Sequence, residues 1–337
     1  MRAFRLFVCS ALAFTLAGCG KESKTIKEAN QFMEQRNYYQ AKAVLEKAIR
    51  ENPKSKKLLR QYVVYYLKTE EVGFSIAAYR RLNEISPKDD VFYDALGNHD
   101  PVIRVTAARA LGYMKDPDSE PALIRTAKDP ENSVRIAVVQ ALGDLKDKKA
   151  LPVLIDFLKD SDWFVRGEAA LALGKIGDAK AASQLFKLLN DEDAYVRENT
   201  RKALEDLATE DNKQAYLDAL QNSDFQIQTM AAVGLAHAGH TEGVKILVAQ
   251  LENLQNKNLT DVIRALMRIK DPSALPGLRK CVSHEDPQVQ IQAILALGAY
   301  RDKASESLLK NLLDDRNQIG PVRTASAIAL NALNGKN

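Results

Sequence analysis

The sequence predicts an all-α protein of the α-solenoid class, a superhelix in which antiparallel helix pairs stack one behind another. Two observations support this fold class. The first is a constant 31-residue step, which a glycine keeps at Gly112, Gly143, Gly174 and Gly298 and an arginine keeps at Arg104, Arg135, Arg166 and Arg197. The second is that the apolar residues of each repeat have the spacing of one helix face. A fixed period of this length is typical of repeat architectures.

The first element in chain order is an export signal over residues 1–18. It begins with Arg2 and Arg5, continues with an apolar run over residues 6–16 and ends in small residues. The apolar run is too short for a transmembrane span. Its end, Leu-Ala-Gly followed by Cys19, resembles the lipobox of bacterial lipoproteins. The resemblance implies that Cys19 is lipidated and becomes the mature N-terminus, with residues 19–23 as the anchor and a short linker.

The lipobox resemblance implies a cell-envelope location, with the membrane as a partner through the lipid anchor. Two or more acyl chains hold a protein stably, because each buried methylene contributes about 0.8 kcal/mol. Gly20 follows the cysteine, whereas the inner-membrane retention signal of such lipoproteins is Asp. The resemblance therefore favours the outer membrane, facing the periplasm. An ordinary cleavable signal with a coincidental cysteine is the alternative.

Residues 24–88 have a different period. Small, aromatic and proline residues recur, and Pro53 and Pro87 are one repeat apart. The pattern resembles tetratricopeptide repeats, which implies one and a half to two helix pairs. No Gly-, Pro- or Ser-rich spacer follows, so we expect this segment to stack onto the longer array as an N-terminal cap. The matching positions are Ala29, Phe32, Tyr38, Ala41, Leu45, Ala48 and Pro53.

Residues 89–337 contain about eight copies of the 31-residue repeat. In the copy around Arg166, one helix face is apolar and residues 181–189 carry a second face. Asp160, Ser161 and Asp162 ahead of the first helix offer N-cap oxygens. A helix pair this short cannot bury its own apolar face, so neighbouring pairs must stack. The pattern D-x-x-V-R-x-x-A-A-x-A-L-G resembles the HEAT repeats named after phycobilisome lyases. The fifth and sixth copies match it least well.

The repeated arginines are predicted to be structural. Each lies one turn into a helix whose leading loop is acidic, so its guanidinium can pair with an aspartate of its own or the adjacent loop. A catalytic cation need not recur every 31 residues. The predicted arginine ladder comprises Arg104, Arg135, Arg166, Arg197 and, two residues out of step, Arg323.

Composition and charge restrict the partners. Removing Arg2 and Arg5 from the 48 Lys and Arg leaves 46 against 44 Asp and Glu, and acidic residues are interleaved throughout. Without a basic stripe, nucleic acid is not expected as a partner. Besides Cys9 in the signal and Cys19, only Cys281 remains, which excludes an internal disulfide. We expect Cys281 to be a buried apolar group, with a reactive thiol as the alternative.

No catalytic residue, metal or cofactor is expected. Two HEAT-like families are enzymes: the deoxyhypusine hydroxylases bind two irons through several His-Glu dipeptides, and the bilin lyases offer no short motif to compare. Here His284 is the one histidine followed by Glu, so a di-iron site of that type cannot be assembled. His237 and His240 could share a metal, but no acidic ligand accompanies them at helical spacing. An enzyme or lyase of the HEAT-like type is the alternative function.

Recognition of a protein or peptide is the function that remains. In HEAT-like pairs the arginine-bearing helix lines the concave face, and its outward positions here carry charges of both signs. Aromatic residues on such a surface are frequent hot spots, and packing between repeats is their alternative role. The sequence thus predicts a membrane-anchored envelope scaffold, with a spacer that has no ligand as a further alternative. The candidate partner-binding residues are Trp163, Phe164, Tyr195, Phe225, Glu168, Lys202 and Arg264.

Overall fold

A computed structural model describes residues 20–254 and 258–335 of the chain, so the export signal and Cys19 lie outside the described residues. The described residues form α-helices and short 3-10 turns, with no β-strand among them. The chain divides after Ala172 into two compact units, which are considered separately. This division lies inside the predicted repeat array, where consecutive helix pairs continue with the same pattern.

The helices before α10 belong to the first unit. They are α1 (20–34), α2 (Tyr38–Glu51), α3 (Lys56–Lys68), α4 (Val72–Ile85), α5 (Val91–Ala95), α6 (Pro101–Met114), α7 (Glu120–Thr126), α8 (Asn132–Leu145) and α9 (Leu151–Phe157). Helix α10 (Trp163–Ile176) contains the division. The second unit continues with α11 (Ala182–Leu188), α12 (Ala194–Leu207), α13 (Lys213–Ala219), α14 (Phe225–His237), α15 (Val244–Gln250), α16 (Leu259–Ile269), α17 (Leu275–Cys281), α18 (Pro287–Ala299), α19 (Glu306–Asp314) and α20 (Gly320–Leu333).

Helices α1 to α4 form two hairpins ahead of the array. Their closing turns contain Arg36 and Glu70, which both have left-handed backbone angles, with φ of 57° and 60°. One repeat separates these two residues, as it separates the prolines noted above, and this indicates two complete tandem pairs. Residues 20–23 are already helical, which differs from the short linker predicted for them. The reason is a set of contacts that joins the start of α1 to the end of α2, including an ion pair of 2.8 Å between Lys21 and Glu51.

The N-terminal hairpins pack directly on the first pair of the array. Helices α3 and α4 both contact α6, and α3 also contacts α5. The Arg60 guanidinium donates hydrogen bonds to Asp89, Asp90 and Asp94 at the start of α5. The Asp89 carboxylate is buried there and also lies 3.1 Å from the Lys56 ammonium. Charged contacts thus continue from the N-terminal hairpins into the array without a spacer.

Eight helix pairs, α5/α6 to α19/α20, follow in the described part of the chain. The first helix of each pair is short, with 5 to 9 residues, and the second is longer, with 11 to 14 residues. Within each unit, each long helix contacts the next long helix. In the first unit α6 contacts α8, and in the second unit α12 contacts α14, α14 contacts α16, α16 contacts α18 and α18 contacts α20. The fifth and sixth copies, which match the repeat least well, form complete pairs.

Close approach of neighbouring long helices explains the repeated glycine. A Cβ atom on Gly112 would lie 2.7 Å from the Cα atom of Ala141 in the next long helix. Gly298 has the same relation to Ala329, also at 2.7 Å. Such distances are shorter than real contacts, so the backbones meet where both helices carry a small residue. The 31-residue glycine step therefore marks helix crossings.

Most long helices end in the same backbone turn. The first or second residue after the helix has a left-handed conformation, which satisfies the last carbonyl groups and reverses the chain. These residues recur at steps of 31 or 62, and Ala208, which follows α12, departs from the pattern with φ of −75°. The left-handed residues are Lys115, Lys146, Gly177, Gly239, Lys270 and Arg301.

Candidate interaction surfaces

The arginine ladder joins loops of consecutive repeats in the first unit. The Arg104 guanidinium donates to the carbonyl oxygens of Asn98 and His99 at 2.8 and 3.1 Å and to both carboxylate oxygens of Asp129 at 2.7 and 2.9 Å. Arg135 repeats the arrangement with Asp160 at 2.9 and 3.0 Å. Each cation therefore fixes its own leading loop and the aspartate of the next loop.

The ladder changes in the second unit. The Arg197 guanidinium donates to the loop carbonyl of Glu192 at 2.9 Å. In the next loop, Asn222 occupies the position that corresponds to Asp160 of an earlier repeat, and it supplies no carboxylate. Gln228, at the next arginine position, keeps the loop contact through a hydrogen bond of 2.7 Å to the Asn222 carbonyl. The hydrogen bond to the leading loop of the same repeat is thus retained at these two positions, whereas Arg197 has no carboxylate partner at the Asn222 position of the next loop.

Two further ladder arginines also donate hydrogen bonds to backbone carbonyl groups. The Arg166 guanidinium donates to the carbonyl oxygen of Asp160 at 3.0 Å, in the first unit. In the second unit, the Arg323 guanidinium donates to the carbonyl oxygen of Leu313 at 3.0 Å. A hydrogen bond from the guanidinium to a backbone carbonyl therefore recurs along the ladder, to the leading loop for Arg166 and to the last turn of α19 for Arg323.

The four candidate aromatic residues fall into two repeat positions. Trp163 and Phe225 occupy the first residue of α10 and of α14, two repeats apart, and remain 46% and 51% exposed. Phe164 and Tyr195 occupy the second residue of their helices and are partly buried. The rings of Trp163 and Phe164 meet edge to face, with centroids 5.4 Å apart. Exposure thus follows repeat position, and the first position presents its ring to solvent.

N-caps fix these aromatic positions. The Asp162 carboxylate accepts hydrogen bonds from the backbone N–H groups of Phe164 and Val165 at 2.8 and 3.3 Å, so Asp162 is the one of the three predicted candidates that caps α10. In the second unit, Asp224 caps α14 in the same way, at 2.8 and 3.4 Å. A capped first turn holds the residue after the cap in helical geometry, so the exposed ring has a defined position.

The charged candidates differ in their surroundings. Glu168 is partly buried and accepts a hydrogen bond of 2.8 Å from the Gln140 side chain, which joins α8 to α10. Lys202 is exposed on α12. Arg264 is exposed on α16 and lies 3.8 Å from Asp261. Lys202 and Arg264 therefore lie on the surface of the second unit, whereas Glu168 contributes to packing between repeats.

A polar cavity of about 560 Å³ lies in the first unit, where the N-terminal hairpins meet the start of α6. Lys68 and Asp100 form an ion pair on its wall. Burial alone would raise the pKa of Asp100, but the hydrogen bonds from Lys68 and the Val102 N–H hold it below its usual value. Sequence reasoning missed this cavity because its lining comes from separate segments. Other lining residues are Arg36, Tyr38, Gln61 and His99.

Tyrosines of α3 form a packed cluster. The Tyr65 and Tyr66 side chains are buried, with ring centroids 5.1 Å apart, and Tyr62 lies 4.7 Å from Tyr66. The Tyr62 hydroxyl donates to Glu46 at 2.9 Å. Burial is the main cause that raises the pKa of Tyr65 to about 12. The cluster stabilises the second hairpin through ring stacking.

His237, His240 and Cys281 have different surroundings. Within residues 20–254 and 258–335, no group of three or more His, Cys, Asp and Glu side chains could hold a metal ion. Burial, followed by the charge of Arg268, lowers the pKa of His237, and the His240 ring lies 2.9 Å from Glu210. Cys281 is buried, as predicted, and burial raises the pKa of its thiol to about 11.

None of the helices over the described residues combines the length and the apolar character that a bilayer crossing requires.

Stacked helix pairs with side chains presented on the surface define the molecule as an α-solenoid repeat protein. The family model for HEAT repeats matches residues 90–163, 127–205 and 257–331, which together make up more than half of the chain. The chain therefore belongs to the HEAT-repeat family. No curated protein sequence matches it.

Solved structures share this fold at low sequence identity. A chain from the structure of Kap95p bound to RanGDP aligns with a TM-score of 0.55 and 14% identity, over 88% of this chain and 48% of that chain. Human deoxyhypusine hydroxylase aligns with a TM-score of 0.33 and 23% identity, over 73% and 96%. The CpcE–CpcF complex of phycocyanin lyase from Nostoc sp. PCC7120 gives 0.36 and 21%, over 72% and 94%.

Proposed function

We propose that this protein is a lipid-anchored scaffold or adaptor of the cell envelope, which binds a protein or peptide through its long helices and has no catalytic activity. The observation that carries the proposal is the solvent exposure of Trp163 and Phe225 at one repeat position of a HEAT array. Large aromatic side chains on a polar surface are favoured contact residues in protein interfaces. Kap95p, which has a related fold, binds the protein RanGDP.

The anchor is proposed from the sequence around Cys19. The lipobox resemblance supports lipidation of its sulfur, and Gly20 at the following position supports sorting to the outer membrane, facing the periplasm. The tetratricopeptide-like identity of residues 24–88 is likewise part of the proposal. It is supported by two hairpins whose left-handed turns recur at the interval that separates Pro53 from Pro87.

Cys19→Ser tests the anchor. We expect the variant to lose the thioether-linked lipid and to move from the membrane fraction to the soluble fraction or to accumulate unprocessed, because no other residue is proposed to carry acyl chains. Fractionation combined with the mass of the N-terminal peptide measures both effects. Cys9→Ser is the matched control and should leave lipidation intact. A Cys19→Ser protein that retains the same lipid mass would contradict the proposal.

Crosslinking in the native envelope tests partner binding. The expected result is recovery of a specific protein, whose affinity is then measured with purified components. Trp163→Ala and Phe225→Ala should each weaken binding by about 2 kcal/mol, or roughly 30-fold in Kd, while the melting temperature changes little. Tyr113→Ala removes another exposed ring, on α6, and is the matched control.

Two results would contradict partner binding. Failure to recover any crosslinked protein would favour a spacer without a ligand. Unfolding of Trp163→Ala or Phe225→Ala would show that the aromatic rings serve packing instead. Near-stoichiometric iron or zinc in the purified protein would revive the enzyme alternative, in which the HEAT-like array supports lyase or hydroxylase chemistry.

A further inference from the structure

The charge of the mature chain is unevenly distributed. Residues 20–60 carry eleven Lys and Arg against five Asp and Glu, whereas residues 61–337 carry 35 Lys and Arg against 39 Asp and Glu. The small net charge of the whole chain therefore conceals a basic N-terminal segment and a slightly acidic remainder. A regional count would have detected this signal, which the overall balance does not show.

The fold places part of this basic charge at one end of the N-terminal hairpins. Ion pairing of Lys21 with Glu51 places the start of α1 beside the end of α2. The Asn52 side chain donates to Glu22 at 2.6 Å and joins the same two ends. Arg81 of α4 donates to the Pro53 carbonyl at 3.5 Å, so the loop between α2 and α3 lies at this end as well.

The resulting surface, here named the basic end, consists of exposed cations from α1, α2, the following loop and α3. Two carboxylates of this end take part in contacts with the same segments, Glu51 with Lys21 and Glu22 with Asn52. A hydrogen bond from Lys21, followed by its positive charge, lowers the pKa of Glu51, so this carboxylate stays ionised and paired at neutral pH. The residues of the basic end are Lys24, Lys47, Arg50, Lys54 and Lys57.

We propose that the basic end lies against anionic phospholipid headgroups and orients the protein on the membrane, an inference that rests on the proposed lipidation of Cys19. Helix α1 is described from Gly20 onward, directly after the proposed anchor. The acyl chains would therefore hold this end of the hairpins at the bilayer surface, within the range of screened electrostatic attraction. Each Lys or Arg near an anionic surface contributes about fivefold to binding.

An anionic membrane fits this surface better than an acidic protein does. The cations come from four consecutive segments that meet at the end of the hairpins where the described chain begins, so a bilayer can contact them together. The anchor alone suffices for retention, since several acyl chains already hold a protein stably. The basic end is therefore expected to control orientation rather than attachment.

The test measures the distance of two labelled sites from the headgroups in the full lipoprotein, reconstituted in vesicles. One fluorescent label is placed at Lys54→Cys and another at Tyr39→Cys, which lies at the opposite end of α2, about 20 Å away along the helix. The native Cys281 is buried and is not expected to react. Vesicles contain phosphatidylcholine alone or with phosphatidylglycerol, and a headgroup nitroxide quenches nearby labels.

We expect quenching at position 54 to exceed that at position 39 in phosphatidylglycerol vesicles, and the difference to shrink several-fold in high salt. Lys24→Gln combined with Lys47→Gln should remove most of it, whereas Lys128→Gln combined with Lys149→Gln, an equal charge change elsewhere in the first unit, should not. The proposal would be overturned if the labels at positions 54 and 39 were quenched equally. It would also be overturned if the difference between them were the same in both vesicle types or in both double variants.

Failure of the anchor can be distinguished from failure of the basic end. The mass of the N-terminal peptide reports lipidation independently of quenching. If no lipid is present, co-sedimentation of the same protein with the two vesicle types tests whether the basic end binds anionic headgroups without the anchor. Binding restricted to phosphatidylglycerol vesicles and sensitive to the Lys24 and Lys47 changes would support the basic end. Absence of such binding, or a preference for an acidic protein over the vesicles, would overturn it.

Discussion

Arg104→Met is expected to lower the free energy of unfolding by about 3 kcal/mol, because it removes one partner of a largely buried charge pair. The Asp129 carboxylate would lose two hydrogen bonds from the guanidinium, and the carbonyls of Asn98 and His99 would lose theirs. Methionine preserves much of the apolar stem of the arginine, so the effect comes mainly from the lost charge and donors. Urea unfolding at neutral pH measures it.

Acidic pH should reduce the difference in unfolding free energy between the Arg104→Met variant and the natural protein. Burial opposes the charge of Asp129, but hydrogen bonds from Arg104 and the Glu131 N–H hold its pKa below the usual value. A carboxyl group with a lowered pKa stabilises the fold fully above its unfolded pKa of about 3.9, and this contribution is lost as pH falls through the folded pKa. The stability difference should therefore be largest near neutral pH and shrink below about pH 4.

Arg109→Met is the matched control for the ladder. Arg109 lies on the same helix and is exposed, so its replacement should change the unfolding free energy by less than about 0.5 kcal/mol. Equal stability of the Arg104 and Arg109 variants would contradict a structural role for the ladder. So would a stability difference that stays constant across the acid range.

Gly234→Ala is expected to destabilise the protein by about 2 kcal/mol, although alanine normally favours a helix. An added Cβ would overlap Cε1 of the Tyr216 ring and lie 2.6 Å from its Cδ1. That ring cannot move aside easily, because its hydroxyl donates to the Leu204 carbonyl and it meets Phe186 edge to face, with centroids 5.3 Å apart. Chemical unfolding followed by far-UV circular dichroism measures the change.

A double-mutant cycle separates this clash from a general helix effect. Tyr216→Leu in the Gly234→Ala background should recover part of the loss, so that the two changes are strongly coupled. Gly73→Ala is the control: Gly73 lies in α4 with open space around its missing Cβ, and its replacement should be neutral or stabilising. Additive effects in the cycle would show that the ring and the glycine do not constrain each other.

The sequence contained enough information for the fold class and for the start of α10. The 31-residue step and the apolar spacing indicated stacked helix pairs, and the acidic loop ahead of α10 offered the cap that Asp162 supplies. The fifth and sixth copies form as well, although Gln228 and Leu259 replace the ladder arginine, because apolar residues such as Leu247 and Val262 still supply buried faces. Packing of a repeat depends more on these faces than on its most visible motif.

Other features could not be predicted because their signal is not local. The left-handed turns were missed since Lys115 and Lys146 occupy positions where glycine is the usual sign. The aromatic candidates could not be separated into exposed Trp163 and partly buried Phe164, because neighbours in adjacent repeats decide which side of a first turn is covered. The polar cavity beside Lys68 depends on side chains from distant segments meeting in space.

The left-handed turns suggest how an array of this kind can evolve in length. The chain leaves most long helices through a left-handed residue, so Lys115 and Lys146 are interchangeable junctions. A genetic duplication or deletion that runs from one such residue to the next would rejoin the polypeptide in the same geometry. New sequence could then diverge within a spare copy while the older copies keep their roles.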